Sequence, residues 1–132
     1  MDKAQALHLF WSSFKLPAIS EESAYDTVLM ETLGIDFPYI TYEFAATNFD
    51  GGAQMLNGSL WYRGRSWRDA EAKAKEICSF IGYGGFILRP VDGGYIRIQI
   101  PANSIAYRRV SDPDDSIRRI IITISVEFMT DT

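Results

Sequence analysis

The sequence contains almost none of the side chains that most catalytic and metal sites need. Its 132 residues include one histidine, His8, and one cysteine, Cys78. A nucleophilic triad needs a histidine or an equivalent base beside the nucleophile, and a structural zinc site needs several Cys or His ligands. One cysteine also excludes a disulfide within the chain. We therefore predict no catalytic, cofactor-binding or metal-binding residues and a protein that is not an enzyme.

Long hydrophobic runs are also missing. No apolar stretch approaches the roughly 18 residues that a membrane-spanning helix needs. The chain starts Met1-Asp2-Lys3, with an acid where a signal peptide carries bases, and no apolar segment follows. We expect no membrane contact. The length suits a single domain, 1–132.

Two glycine- or aspartate-containing segments depart from the cofactor motifs that they partly resemble. The segment 82–85 lacks the Gly-Lys-Ser/Thr of a phosphate loop, and it follows a predicted helix where such a loop precedes one. The segment 112–123 starts like a calcium loop, but Ile117 occupies the position that requires glycine. Neither segment predicts a cofactor.

Basic residues are scarce in the first half of the chain. Residues 1–62 contain two bases and eight acids, whereas residues 63–132 contain eleven bases and nine acids. Folding can mix the two halves on one surface. Alternatively, an acidic surface of one copy meets a basic surface of the next, head to tail.

Hydrophobic periodicity predicts two helices and at least four strands. A helical stripe covers residues 2–14, and a second helix, 66–81, has Ser66 as a candidate N-cap with Asp69 in capping-box position. Residues 16–36 are acidic and irregular, with a short helical turn that Gly34 closes. Apolar and polar residues alternate in the predicted strands, which are 37–46, 55–63, 94–100 and 117–129.

Alternation within every strand is typical of a sheet with one buried face and one exposed face. A hairpin turn is predicted at 49–52. The expected fold is a two-layer α+β domain with a mainly antiparallel, four- to five-stranded sheet and two helices packed on one face.

The predicted exposed face of the sheet is rich in aromatic residues and arginine. Tyr39, Trp61, Arg63, Tyr95 and Arg97 project there if the alternation holds. Aromatic residues and arginine are enriched at protein interfaces. We predict that this face contacts other subunits.

A second candidate contact region is the segment 101–116, which the periodicity leaves as a long loop. Long loops in small domains are often functional. This one carries both signs of charge, and we predict contacts through Arg108, Arg109, Asp114 and Asp115, together with Arg65 in the turn before the second helix.

Arginines next to tryptophans at 61–68 also resemble a nucleic-acid surface. The net charge of −4 argues against it, because nucleic-acid binders usually carry a basic excess. We predict no nucleic-acid binding by this cluster.

The order of short patterns along the chain resembles a known family. The segments 37–43, 60–63, 70–85, 92–96 and 117–130 are similar, in order and spacing, to the tail terminator (tail completion) proteins of long-tailed bacteriophages and prophages of Gram-positive bacteria. The segment 16–36 departs from the family by being longer and more acidic.

The resemblance implies a structural virion protein, assembled in the host cytoplasm and located at the head-proximal end of the tail. Family members form a ring there, usually a hexamer, which ends polymerisation of the tail tube. The implied partners are other copies of the chain, the major tail tube protein and a head-completion protein, with DNA passing through the ring lumen. Two alternatives stay open: another neck protein, such as a head–tail connector or minor capsid protein, and a small ligand-binding domain or enzyme.

Overall fold

A computed structural model describes residues 2–24, 27–44, 53–82, 85–101 and 106–130, without the side chains of Thr27, Ala53 and Thr130. The described chain contains four helices and seven strands. In chain order they are α1 (Lys3–Ser12), β1 (Ala18–Ser20), α2 (Glu21–Ala24), α3 (Thr27–Leu33), β2 (Tyr39–Tyr42), β3 (Ala53–Arg63), α4 (Arg68–Ile81), β4 (Phe86–Val91), β5 (Gly94–Gln99), β6 (Tyr107–Val110) and β7 (Ile117–Thr130).

All seven strands belong to one mixed sheet: six follow the order β1-β2-β3-β7-β5-β4, and β6 pairs with β7 beside this path. The pairings are antiparallel except for β1 with β2. β7 is the central strand: β3 pairs along one edge, and β5 and β6 share the other edge, opposite Ser125–Thr130 and Arg119–Ile122 respectively. β5 and β6 therefore lie one after the other along the same edge of β7.

The mixed α and β character was predicted correctly, but the sheet is larger than expected. β1, β4 and β6 were not predicted. The interpretation of 101–116 as one long loop is wrong, because β6 lies within it and pairs with β7. The hairpin turn predicted at 49–52 lies outside the described residues.

One hydrophobic core lies between the sheet and two helices. The buried side chains of α1 are Ala6, Leu7, Phe10 and Trp11, and those of α4 are Ala70, Ala74, Ile77, Cys78 and Ile81. They pack on the alternate sheet residues that the sequence predicted to point inward, which include Ile40, Leu60, Ile96, Ile98, Ile120, Ile122, Ile124 and Val126. The prediction of two helices on one face is confirmed for the described residues.

The ends of the helices agree only in part with the capping residues that the sequence suggests. α1 has a complete capping box between Asp2 and Gln5. α4 starts one residue later than a Ser66 cap implies: Trp67 occupies the N-cap position without a side-chain cap bond, and Asp69 forms no capping box. The Ser66 hydroxyl instead accepts a hydrogen bond from the Arg68 backbone N–H at 3.1 Å. The short helical turn ending at Gly34 is confirmed by α3 and by the positive φ of Gly34, 67°.

Three tyrosines make the fold sensitive to high pH. Burial raises the pKa of Tyr42 above its ordinary value of 10.0, and burial is also the main cause of the raised pKa values of Tyr39 and Tyr62. The folded state therefore keeps these protons when the unfolded chain has released them. We expect the contribution of these three tyrosines to the free energy of unfolding to be unchanged at neutral pH and to fall as the pH rises above the ordinary tyrosine pKa of 10.0 and through the folded-state pKa values.

Denaturant unfolding across alkaline pH, with tyrosinate absorbance followed in parallel, measures this effect. A Tyr42→Phe variant should show a smaller alkaline loss than the parent chain. An equal loss in both would assign the pH dependence to other groups.

Candidate functional site: the open face of the sheet

The sheet face opposite α1 and α4, called here the open face, carries the candidate contact residues. α1 and α4 pack on the other face of the sheet, where the core cluster lies. Strand register puts Tyr39 opposite Trp61, and Trp61 opposite Arg119, so three neighbouring strands contribute to one row. This row spans β2, β3 and β7.

The row consists of Phe37, Tyr39, Trp61, Arg63 and Arg119 and is called the arginine–aromatic row. The Arg119 guanidinium lies 4.5 Å from the Trp61 ring centroid, and Tyr39 stacks on Trp61 with centroids 6.1 Å apart. Arg63 lies 4.6 Å from the Phe37 ring, which in turn contacts Tyr39. Such cation–π pairs each contribute about 0.5–1 kcal/mol at exposed sites.

Hydrogen bonds hold the row in place from below. The Trp61 indole N–H donates to the Thr41 hydroxyl at 2.8 Å, and the Arg119 guanidinium donates to the Ser59 hydroxyl at 3.0 and 3.2 Å. Thr41 and Ser59 are themselves buried beneath these large side chains. The row is thus a rigid surface, which reduces the conformational entropy lost when a partner binds.

The opposite end of the open face is apolar. Phe86 and Leu88 of β4, Tyr95 of β5 and Met129 of β7 form what is called the apolar patch, with exposed fractions of 53%, 45%, 51% and 38%. Register places Tyr95 opposite Met129. Contiguous exposed apolar side chains on a folded domain often mark an interaction site.

Arg97 lies within the apolar patch and is incompletely bonded. It stands over the Phe86 ring at 4.7 Å and donates one hydrogen bond, from Nη2 to Gln99 Oε1 at 3.0 Å. Its Nε is buried and has no partner within the described chain. Cross-strand register places Arg97 opposite Glu127 of β7 on the same face, so a carboxylate of its own chain is a neighbour of this guanidinium.

The remaining sequence-predicted residues fall in two places. Arg65, Asp114 and Asp115 come together where the turn before α4 meets the turn before β7, because Arg118 donates to the backbone carbonyls of Arg65 and Asp115. The Ser116 hydroxyl and backbone N–H both donate to the Asp114 carboxylate, which lowers its pKa. These three residues, Arg65, Asp114 and Asp115, are called here the polar end and lie beside Arg63, which pairs with Ile117.

Arg108 and Arg109 were predicted as loop contacts, but they lie in β6 on opposite faces. Arg108 is paired with Ile121 on the open face. Arg109 points to the helix side, where its Nε donates to Glu71 of α4 at 2.6 Å and its guanidinium lies 4.9 Å from the Trp67 ring. Arg109 thus makes contacts within its own chain, but its side chain is still 54% exposed, and its role as a partner contact stays a prediction.

The candidate residues thus form two groups instead of one surface. Tyr39, Trp61, Arg63 and Arg65 lie toward one end of the open face, and Tyr95 and Arg97 toward the other. Ten residues of β7 separate Arg119 from Met129, and at about 3.3 Å per residue this is roughly 33 Å of strand. Phe86 and Leu88 were missed because β4 was not predicted; the dipeptide Asp92-Gly93 between two apolar runs is the hairpin signal that points to it.

One cavity of about 640 Å³ is open to solvent and is lined by Ala4, Ser20, Glu21, Glu22, Tyr42, Glu43 and Phe44. Glu43 is bonded to the backbone and side chain of Asn57. Within the described ranges, no group of three His, Cys, Asp or Glu residues is placed to hold a metal ion, and no helix is long and apolar enough to cross a membrane.

Comparison with known proteins finds no family model that matches the sequence, no similar curated protein and no similar solved structure. The open face and the ordered sequence patterns are therefore the observations from which a function is inferred.

Proposed function

We propose that this chain is a structural subunit of a long-tailed phage or prophage particle, which forms a ring on the head-proximal end of the tail tube and ends its polymerisation. The observation that carries the proposal is the open face, with a rigid arginine–aromatic row at one end and an apolar patch at the other. The resemblance of residues 37–130 to tail terminator proteins supplies the particle and the place in it.

The two ends of the open face suit two kinds of contact. Apolar surface contributes most to stable contacts between copies of a chain, whereas a charged and aromatic surface favours selective docking of a different partner. In the proposed ring the patch takes part in contacts between copies. The arginine–aromatic row and the polar end beside it, with Arg65, Arg108, Asp114 and Asp115, face the tube or the head-completion protein.

On one side only, the ring would carry the surface by which one layer of tube subunits binds the next. The other side lacks this surface, so no further tube subunits can add and growth would stop. A ring arises when a head-to-tail contact between identical copies closes on itself. Its free side then meets the head-completion protein, with DNA passing through the lumen.

The direct test is electron microscopy of the purified chain mixed with tubes of the major tail tube protein. Rings on one end of the tubes, together with tubes of limited length in co-assembly reactions, are expected. Tubes that stay uncapped and grow without limit, with the chain bound to capsids instead, would support the alternative of a different neck protein.

Charge reversal in the row gives a residue-level prediction. Arg63 is exposed and contacts Phe37 by its guanidinium face, so Arg63→Glu should leave the fold intact while placing a carboxylate in the contact surface. We expect tube capping to weaken by at least about tenfold, since like-charge contacts cost several kcal/mol.

Lys75→Glu is the matched control for Arg63→Glu. Lys75 is exposed on α4, in the helix layer and away from the open face. Capping that is weakened equally by both reversals would show that net charge, and not the row, governs docking.

A further inference from the structure

We infer that the outer edge of β4 pairs with the same strand of a second copy of this chain, in an antiparallel dimer centred on Ile87. The inference concerns the free chain in solution and does not rest on the proposed function. Its basis is a set of backbone groups that β4 leaves without a partner among the described residues, beside exposed apolar side chains.

The register of the β4–β5 hairpin determines which backbone groups of β4 face outward. The turn between these strands has two residues, so Val91 and Gly94 form a hydrogen-bonded pair. Hydrogen-bonded and non-bonded pairs alternate along an antiparallel ladder, so β4 bonds to β5 at every second position, counted back from Val91. The N–H and C=O groups of Phe86 and Leu88 therefore point away from β5, where no strand among the described residues receives them.

Exposed apolar side chains flank these backbone groups on the open face. Phe86 and Leu88 are each about half exposed and belong to the apolar patch. Edge strands of natural proteins are commonly protected by lysine, by proline or by a bulge. β4 has no lysine, its pairing with β5 runs without a bulge, and Pro90 protects only the end next to the turn. The rest of this edge favours association with another strand.

Pro90 and Arg89 select the register of the pairing. A two-fold axis at Leu88 would place Phe86 opposite Pro90, which has no N–H to donate. It would also make the two Arg89 side chains diagonal neighbours, although like charges repel. A two-fold axis at Ile87 leaves Pro90 outside the pairing with Phe86 and places Phe86 opposite Leu88 of the second copy. Both Phe86–Leu88 pairs then exchange N–H···O=C hydrogen bonds in both directions.

A second copy is the occupant that this edge favours. An antiparallel pair of identical strands is self-complementary, because one surface supplies both sides of a two-fold contact. Phe86 and Leu88 lie on the same face of β4, so the pairing joins the two apolar patches side by side. Arg97 does not oppose this contact, since it lies one strand further from the axis, with Glu127 of its own chain opposite.

The dimer and the proposed ring would compete for the apolar patch. A two-fold contact closes after two copies and cannot build a ring by itself. The dimer must therefore open at β4 before the patch takes part in ring contacts. The contact is small, because it consists of one short strand and the side chains beside it, and we expect a dissociation constant of roughly 1–100 μM.

Sedimentation equilibrium of the full chain at rising concentration measures the dimer. Leu88→Lys places a charge in the paired edge, on a side chain that is exposed in the single copy. We expect dimerisation to weaken by at least about tenfold, because a buried leucine of each copy is lost and an unpaired ammonium group is gained. Leu33→Lys is the matched control, since Leu33 is similarly exposed on α3, which packs beside α2. It should dimerise as the parent chain does.

A proline at position 88 separates strand pairing from a simple apolar contact. Leu88→Pro removes the outward N–H and keeps an apolar side chain, and the hydrogen bonds between β4 and β5 do not use this N–H. Leu88→Val keeps both the N–H and an apolar side chain. We expect Leu88→Pro to dimerise at least about tenfold more weakly than Leu88→Val. Equal dimerisation of the two variants, each shown to be folded by denaturant unfolding, would overturn the inference.

Disulfide trapping tests the register without weakening the edge. In the inferred dimer Ile87 faces Ile87 of the second copy in a non-hydrogen-bonded pair, with Cα atoms about 4.5 Å apart, which is within the range of a disulfide. Ile87→Cys should therefore form a crosslinked dimer on oxidation. Arg89→Cys should not, because the two positions lie four residues apart along the paired strands, roughly 13 Å. The native Cys78 is buried, so the parent chain gives the background.

The dimer and the proposed function can fail separately. A parent chain that is monomeric at every concentration, with no crosslink through Ile87→Cys, would contradict the dimer even if the chain caps tubes as rings. Crosslinking through Arg89→Cys at the rate of Ile87→Cys would contradict the register. Crosslinking through Ile87→Cys alone, in a chain that ignores tubes, would establish the dimer and contradict the proposed function.

Discussion

Replacing Gly58 by alanine should destabilise the protein by about 3 kcal/mol or more. A Cβ atom at this position would lie 2.3 Å from the Trp11 ring and within 2.7 Å of two further ring atoms. Trp11 is fully buried and stacks on Tyr42, so the indole has no free space into which to move. The strand cannot move aside either, because Gly58 pairs with Tyr42 on one side and Ile122 on the other.

Denaturant unfolding monitored by tryptophan fluorescence measures the loss. Gly85→Ala is the matched control, since the nearest atom to a Cβ there, the Ile81 carbonyl oxygen, is at an ordinary distance of 3.4 Å. In a Trp11→Leu background, Gly58→Ala should cost far less, because the ring that blocks the Cβ is gone. A cost that stays the same in that background would assign it to strand distortion and not to the indole.

The sequence predicted the centre of this fold because hydrophobic periodicity is most regular in elements that pack against neighbours on both sides. α4 and the long strands β3 and β7 have regular apolar faces, and alternation along β3 puts Gly58 on the same face as the buried Leu56 and Leu60. Its role could not be predicted, because Trp11 reaches it from a helix 47 positions earlier in the sequence.

The strands that were not predicted, β1, β4 and β6, each pair with a single strand among the described residues. β1 has three residues, and β6 reads Tyr-Arg-Arg-Val, whose polar centre is tolerated because only β7 pairs with it. β4 contains Arg89 and Pro90, and proline fits an edge strand since its missing N–H faces away from the neighbour. No short-range pattern distinguishes β1 and β6 from loops, whereas the turn dipeptide Asp92-Gly93 is the one local signal for β4.

The candidate site residues were likewise predictable on the long strands and not on the strands that the sequence did not reveal. Tyr39, Trp61, Arg63, Tyr95 and Arg97 were assigned to the open face from alternation, and the register agrees. The placement of Arg108 and Arg109 on opposite faces was not predicted, because it follows from the alternation of β6, a strand that the sequence did not reveal. The separation of the site into two ends depends on the register of β5 and β3 with β7, which sequence alone does not supply.

The second large effect is expected at Trp67, whose substitution by alanine should cost about 3 kcal/mol. Trp67 is half-buried against the core, and its ring has two guanidinium neighbours, Arg109 at 4.9 Å and Arg118 at 5.4 Å. Arg109 also binds Glu71 in the first turn of α4, and Arg118 holds the carbonyl of Arg65. Removing the indole therefore loosens the start of α4, the turn before it and the attachment of β6 together.

A double-mutant cycle separates this internal role from partner binding. Trp67→Ala and Arg109→Ala should each lower the free energy of unfolding, and their combination should cost less than the sum by about 0.5–1 kcal/mol, the usual range of an exposed cation–π contact. Arg109→Ala should leave tube capping unchanged at temperatures where the variant is folded, whereas Arg108→Glu on the open face should weaken it. Capping that falls with Arg109→Ala while stability does not would assign Arg109 to the partner surface, and it would show that the pair with Glu71 opens when the partner binds.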